Sequence, residues 1–212
     1  MKPLFITGAG LSAPSGIPTY RQDENSLYND EALMAIMHID SLYDPVRLTK
    51  LQAHFADWQA LIDSKAPNRA HTLIKDIVEA YDGFVVTQNV DNYLERAGLD
   101  EHRIYHIHGD FSHNKPNINV ANVVLFGEML IDEPAYLSQH LSEFDTIVIA
   151  GTSLTVTSVF PYIRPSTDVY IVNKEAVDLP MPAGFFKSVN YIGGDIIDGL
   201  AQLQQIFADK MS

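Results

Sequence analysis

The 212 residues suffice for one domain, or one large domain with a small insert, and 46% hydrophobic content is ample for a buried core. A formal net charge of −13 argues against non-specific nucleic-acid binding, which needs a basic surface. Cysteine is absent, which removes disulfides, thiolate nucleophiles and cysteine-based zinc sites together. No apolar run approaches the roughly 20 residues that span a bilayer. The chain enters a strand–turn motif at once, without a signal-peptide pattern, so a soluble, cytoplasmic protein is expected.

Short β-branched runs alternate with helical patterns and predict a doubly wound, Rossmann-like α/β sheet in a single domain spanning residues 1–212. Strands are predicted at Leu4–Thr7, Phe84–Thr87, Arg103–His106, Thr146–Ala150 and Asp168–Val172, with a last one near Ser188–Ile192. Helices are predicted at Ser12–Ser15, Ala70–Tyr81, Val90–Ala97, Pro134–Phe144 and Asp195–Asp209. The segment from Gln22 to Ala66 is helical in character (Glu31–His38, Pro45–Ile62) and reads as a small inserted lobe. Ser112–Asn117 reads as a plain polar connection.

The run Phe5-Ile6-Thr7-Gly8-Ala9-Gly10-Leu11-Ser12-Ala13 ends a strand in G-x-G-x-x-A, the dinucleotide turn. Its glycines would let backbone approach a pyrophosphate; a tight turn with no ligand is the competing reading. A hydride-transfer enzyme also needs an acidic residue about 20 positions on. That region is Ile17-Pro18-Thr19-Tyr20-Arg21 followed by the helical lobe, so a dehydrogenase fits poorly. Asn89 and Asp91 could simply cap a helix. His106, His108, Asp110 and His113 could form a metal cluster, a minor reading because no second well-placed ligand pair accompanies them.

Gly8 to Arg21 closely resembles the sirtuin signature GAGxSxxSGIPxFR, with Tyr20 in place of phenylalanine. Thr87-Gln88-Asn89-Val90-Asp91-Asn92 resembles the family's TQNxDN block, and Pro67–His71, Glu95–Gly98, His108-Gly109, Phe126-Gly127-Glu128, Gly151–Leu154, Ile171–Asn173 and Gly194-Asp195 follow in the family's order. The resemblance covers nearly the whole chain. It implies that NAD is consumed as a co-substrate, cleaved at its nicotinamide bond by an NAD-dependent protein lysine deacylase.

Residue by residue, the resemblance implies that Gly8, Ala9 and Gly10 line the pyrophosphate, with Ser12 opening a helix and Ile17 nearby. Arg21 would contact phosphate or order the covering loop, and Tyr20 would shield the ribosyl centre from water. Asn89 would position the nicotinamide ribose and Asp91 its carboxamide, with Gln88 and Val90 alongside. His108 would be the base for a ribose hydroxyl. Gly151, Thr152 and Ser153 would serve phosphates or ribose, Asn173 the adenosine ribose, and Asp195 and Ile196 the adenine end. Phe126, Gly127 and Glu128 would pair with an acyl-lysine peptide of the protein substrate.

Two departures stand out. Only Asp110–Phe126 separates His108-Gly109 from Gly127, so the family's four-cysteine zinc ribbon is missing and no metal is expected. Ser158 stands where the family's peptide-channel loop carries proline. NAD hydrolysis or ADP-ribosyl transfer on the same scaffold is the alternative, and a catalytically weak NAD-binding module is a third. Neither nucleic acid nor membrane is an expected partner.

Overall fold

The computed structural model describes residues 1–19, 31–130, 134–154, 164–165, 167–177, 179 and 184–211. Among these, the strands are β1 (Pro3–Thr7), β2 (Phe84–Thr87), β3 (Ile104–His106), β4 (Gly109–Asn114), β5 (Ala121–Val123), β6 (Thr146–Ala150), β7 (Asp168–Asn173) and β8 (Ser188–Gly193). The α-helices are α1 (Glu31–Ile36), α2 (Pro45–Asp63), α3 (Arg69–Ala80), α4 (Tyr93–Arg96), α5 (Ala135–His140) and α6 (Ile196–Met211).

Six strands form one sheet in the order β3-β2-β1-β6-β7-β8, every pairing parallel. This is the doubly wound order, with the direction of winding reversing between β1 and β6, where such sheets open a ligand crevice. Both central strands are buried along their whole length, as a sheet covered on two faces requires. Alternation then sorts the side chains. Phe5, Val85 and Val148 face α3 and α6, while Leu4, Ile6, Val86 and Ile149 face Leu137 and Phe144. Phe207 of α6 is fully buried against Tyr81 and Tyr170, and its truncation to alanine would cost about 3–5 kcal/mol.

The predicted strands hold to within a residue or two. The predicted helix over Ser12–Ser15 does not form. Two 3-10 turns, Ala9–Leu11 and Ala13–Ser15, take its place, and Gly16 ends the second at φ 84°. Ser12 therefore opens no α-helix; Pro14 and Gly16 break the chain before one can extend. The helix predicted from Val90 is shorter, because Gln88–Asn92 stays irregular and leaves only Tyr93–Arg96 helical.

The Ser112–Asn117 segment is more than a polar connection. Ser112–Asn114 belong to β4, which pairs antiparallel with β5. This hairpin packs Phe111, Val120 and Val123 onto Leu51 and Phe55 of α2, with Phe55 and Phe111 edge to face at 5.3 Å. Lys115 and Glu128 close it with an ion pair at 2.7 Å, their side chains 12% and 17% exposed. Gln22–Asp30 of the predicted lobe lie outside the described residues.

Candidate active site

Strand register sets the site. Thr7 pairs with Thr87 and Ala150, Ala150 with Val172, and Thr87 with His106. Gly8, Gln88, Ile107 and Gly151 therefore leave the sheet along one carboxyl-terminal edge, level with Asn173, the last residue of β7.

At the switch point two turns interlock by backbone. The Gly10 N–H donates to the Gly151 carbonyl at 2.9 Å. A Cβ on Gly10 would lie 2.8 Å from that oxygen, and one on Gly151 (φ +63°) only 2.6 Å from the Leu11 nitrogen. A Cβ on Gly8 would meet Thr152 at 2.6 Å. The glycines thus have a reason nearer than pyrophosphate: the turns cannot touch otherwise.

Behind the turn lies a buried polar network. Ser12 Oγ donates to Asp91 Oδ2 at 2.8 Å and accepts from Asn89 Nδ2 at 3.2 Å. His71 Nδ1 accepts from the Asn68 N–H at 3.1 Å, which leaves the proton on Nε2, 3.4 Å from Ser12 Oγ. Ser12 thereby uses its one donor and both lone pairs. His71 is fully buried as the N3 residue of the capping box that starts α3, and burial lowers its pKa to about 4. Burial pushes Asp91 up, opposed by bonds from Ser12 and the Tyr93 N–H and by the charge of His106.

Ser12, Asn89 and Asp91 form the polar end of a small, partly open cleft, and Ile17, Pro18, Trp58, Ile62 and Val90 its apolar walls, with Ala9 beside them. Neighbouring Gln88 holds a buried, unpartnered side-chain Nε2. A polar end facing apolar walls is the usual make-up of a small-molecule site. Trp58 and Ile62 belong to no sequence motif; their i, i+4 spacing on α2 is the one signal they carry.

His108 follows β3, largely buried, and burial alone holds its pKa below that of an ordinary histidine. Its carbonyl accepts from the Val124 N–H at 2.9 Å. Asn173 turns its amide to the Thr152 and Glu175 carbonyls. Asp195 caps α6 through the Ile197 N–H at 2.8 Å, and the Ile196 side chain sits in the core, so only its backbone faces outward contacts. Ser153 is exposed beside Thr152, whose hydroxyl accepts from the Leu154 N–H.

The expected peptide edge is largely engaged within the chain. The Phe126 N–H donates to Met37 and its carbonyl accepts from Ile39, each at 2.9 Å. Glu128 accepts from the Leu125 N–H and binds Lys115, and Gly127 sits between at φ +86°. Tyr20, Arg21 and Ser158 lie outside the described residues. Among the described residues no group of three or more His, Asp or Glu side chains is placed to hold a metal ion, so the His106/His108/Asp110/His113 cluster does not assemble there.

The profile of the Sir2 family matches residues 8–119, over half the chain. The chain belongs to the Sir2 family. An NAD-dependent protein deacetylase of Listeria monocytogenes is 30% identical over 215 residues, covering 87% of this chain and 90% of that protein. The structure of a Sir2 homologue–NAD complex superposes with a TM-score of 0.74 at 25% identity, covering 100% of this chain and 91% of the other. A Sir2 homologue variant bound to 2′-O-acetyl ADP ribose superposes with a TM-score of 0.73 at 25% identity, covering 100% and 93%.

Proposed function

We propose that this Sir2 protein is an NAD-dependent protein lysine deacylase. The observation that carries the reading is the Ser12–Asn89–Asp91 network at the polar end of the cleft, on the switch-point edge of a sheet that superposes on an NAD complex. NAD is the co-substrate: the acyl oxygen of the lysine substrate replaces nicotinamide at the ribosyl carbon, a ribose hydroxyl then takes the acyl carbon, and one water is consumed as the lysine amine leaves O-acyl-ADP-ribose.

In this reading the Gly8–Gly10 turn, Gly151 and Thr152 hold the phosphates. Gln88 and Asn89 hold the nicotinamide ribose, and Asp91 with Val90 holds the carboxamide. His108, kept neutral by burial, takes the ribose-hydroxyl proton. Trp58, Ile62 and Ile17 exclude water from the reacting carbon. Tyr20, Arg21, Ser153, Asn173 and the Asp195–Ile196 backbone complete the cofactor contacts. Phe126–Glu128 meets the peptide, on those groups it does not already use. Small-lobe residues 22–66 form an insert within one domain of residues 1–212.

We take the enzyme to work without zinc and without nucleic-acid or membrane partners, in the cytoplasm. The charge of −13 disfavours a nucleic-acid surface, and the hairpin is closed by apolar contact where a metal would otherwise be needed; among the described residues no helix is long and apolar enough to cross a membrane. The deciding experiment incubates the protein with NAD, with and without an acetyl-lysine peptide, and weighs the products. Peptide-stimulated nicotinamide release with O-acetyl-ADP-ribose is expected. Equal release without peptide, giving ADP-ribose alone, would assign the chain as a hydrolase; ADP-ribose attached to protein would make it a transferase.

A further inference from the structure

His106 grips the loop of Asn89 and Asp91 from both ends. Its Nδ1 lies 3.0 Å from the Asn89 carbonyl and its Nε2 lies 2.7 Å from Glu95 Oε1. A carbonyl only accepts, so Nδ1 carries a proton; a carboxylate likewise accepts, so Nε2 carries one too. The ring is therefore an imidazolium, 12% exposed, tied to the start of the loop on one side and to α4 beyond the loop on the other.

Asn89 is fixed through three groups at once. Its N–H donates to Thr87 Oγ1 at 3.1 Å, its carbonyl accepts from His106, and its side chain reaches Ser12. Thr87 and His106 are register partners on β2 and β3, so both holds spring from the rigid sheet.

We infer that His106 is a positioning residue for nicotinamide cleavage, a doubly protonated clamp that sets the Asn89–Asp91 loop. This rests on the proposed roles of Asn89 and Asp91. A neutral ring could keep only one of the two bonds and would release one end of the loop. Burial disfavours the charged ring, but the hydrogen bond and charge of Glu95, the Asn89 carbonyl and the charge of Asp110 outweigh it, raising the pKa above that of an ordinary histidine. The cation in turn favours the ionised form of Asp91. Glu95, Asp91 and Asp110 are the charged groups facing the ring, from α4, the loop and β4.

The test combines kinetics with histidine-ring nitrogen NMR of the whole chain. At pH 7 both His106 ring nitrogens should be protonated, and the Asn89 and Asp91 amide signals should move with the ring's titration. His106→Gln should lower kcat for nicotinamide release by about 10²-fold, the scale of a misplaced reacting group, with little change in KM for NAD. Glu95→Gln should shift the alkaline loss of activity to lower pH; if His106→Gln does not fold, this variant carries the kinetic test. A neutral ring at pH 7, still amide signals, or wild-type kcat and pH profile in these variants would overturn the inference. A wild-type chain that releases no nicotinamide would instead defeat the proposed function, and the ring and amide titrations would still decide on His106.

Discussion

The Ser12 hydroxyl stands 2.8 Å from the Asp91 carboxylate although 79 positions separate them in the chain. Ser12→Ala would strip Asp91 of a donor and leave Asn89 Nδ2 and His71 Nε2–H without their acceptor. Buried groups left unmet cost about 1–3 kcal/mol each. Urea unfolding should show a loss on that scale, and nicotinamide release should fall about 10²-fold as Asn89 and Asp91 lose their alignment. Unchanged turnover in the variant would show that the network serves folding alone.

His108→Ala should lower acyl transfer by about 10²–10⁴-fold, the usual contribution of a positioned base, while NAD affinity by calorimetry stays near wild type. Because burial depresses the His108 pKa, the neutral base persists below the ordinary histidine range, and activity should fall only at more acidic pH. A variant with wild-type acyl transfer would put the base elsewhere.

Stability should fall with acid in a way traceable to His71. Unfolded, this histidine protonates near 6.5; folded, burial holds it to about 4. The unfolded chain binds the extra proton between those values. The His71 contribution is therefore complete above pH 6.5 and is lost as pH drops toward 4, by about 3 kcal/mol in all. His106, whose pKa is raised, has the opposite sign: its contribution is present at low pH and lost as pH rises through the folded value. Comparing urea midpoints at pH 7 and pH 5 for wild type and His71→Gln isolates the first effect, which should vanish in the variant.

Chelators should leave melting temperature and activity unchanged, because an apolar contact surface and the Lys115–Glu128 pair close the hairpin. Elemental analysis showing one tightly bound zinc per chain, removed together with activity, would contradict this.

The sheet was legible because β1, β2, β6 and β7 are short β-branched runs whose burial leaves them no alternative. The ordered motifs likewise led directly to the Gly8–Gly10 turn and to Asn89 and Asp91. What stayed hidden depends on partners distant in sequence. Gly10 reads as a phosphate glycine until the Gly151 carbonyl is seen against it. His71 stands in the sequence only as part of a recurrent segment, since its contact with Ser12 is made through the fold. His106 suggested a metal ligand because its spacing from His108 is visible, while Glu95 and the Asn89 carbonyl become its partners only when β3 lies beside β2. The Phe126 edge was expected to be open because sequence gives no sign that Met37–Ile39 would occupy it.

The hairpin of β4 and β5 is closed by Phe111, Val120 and Val123 against Leu51 and Phe55, in a chain whose only sulfur belongs to six methionines. Thioether oxidation aside, peroxide has nothing here to attack. A small lobe clasped by thiolates falls open when they oxidise, whereas one closed by rings and aliphatic carbon keeps its shape. Thiol oxidation therefore has no route to unclasp this hairpin, and nicotinamide release is expected to survive a peroxide treatment that oxidises cysteine, measured as turnover before and after exposure.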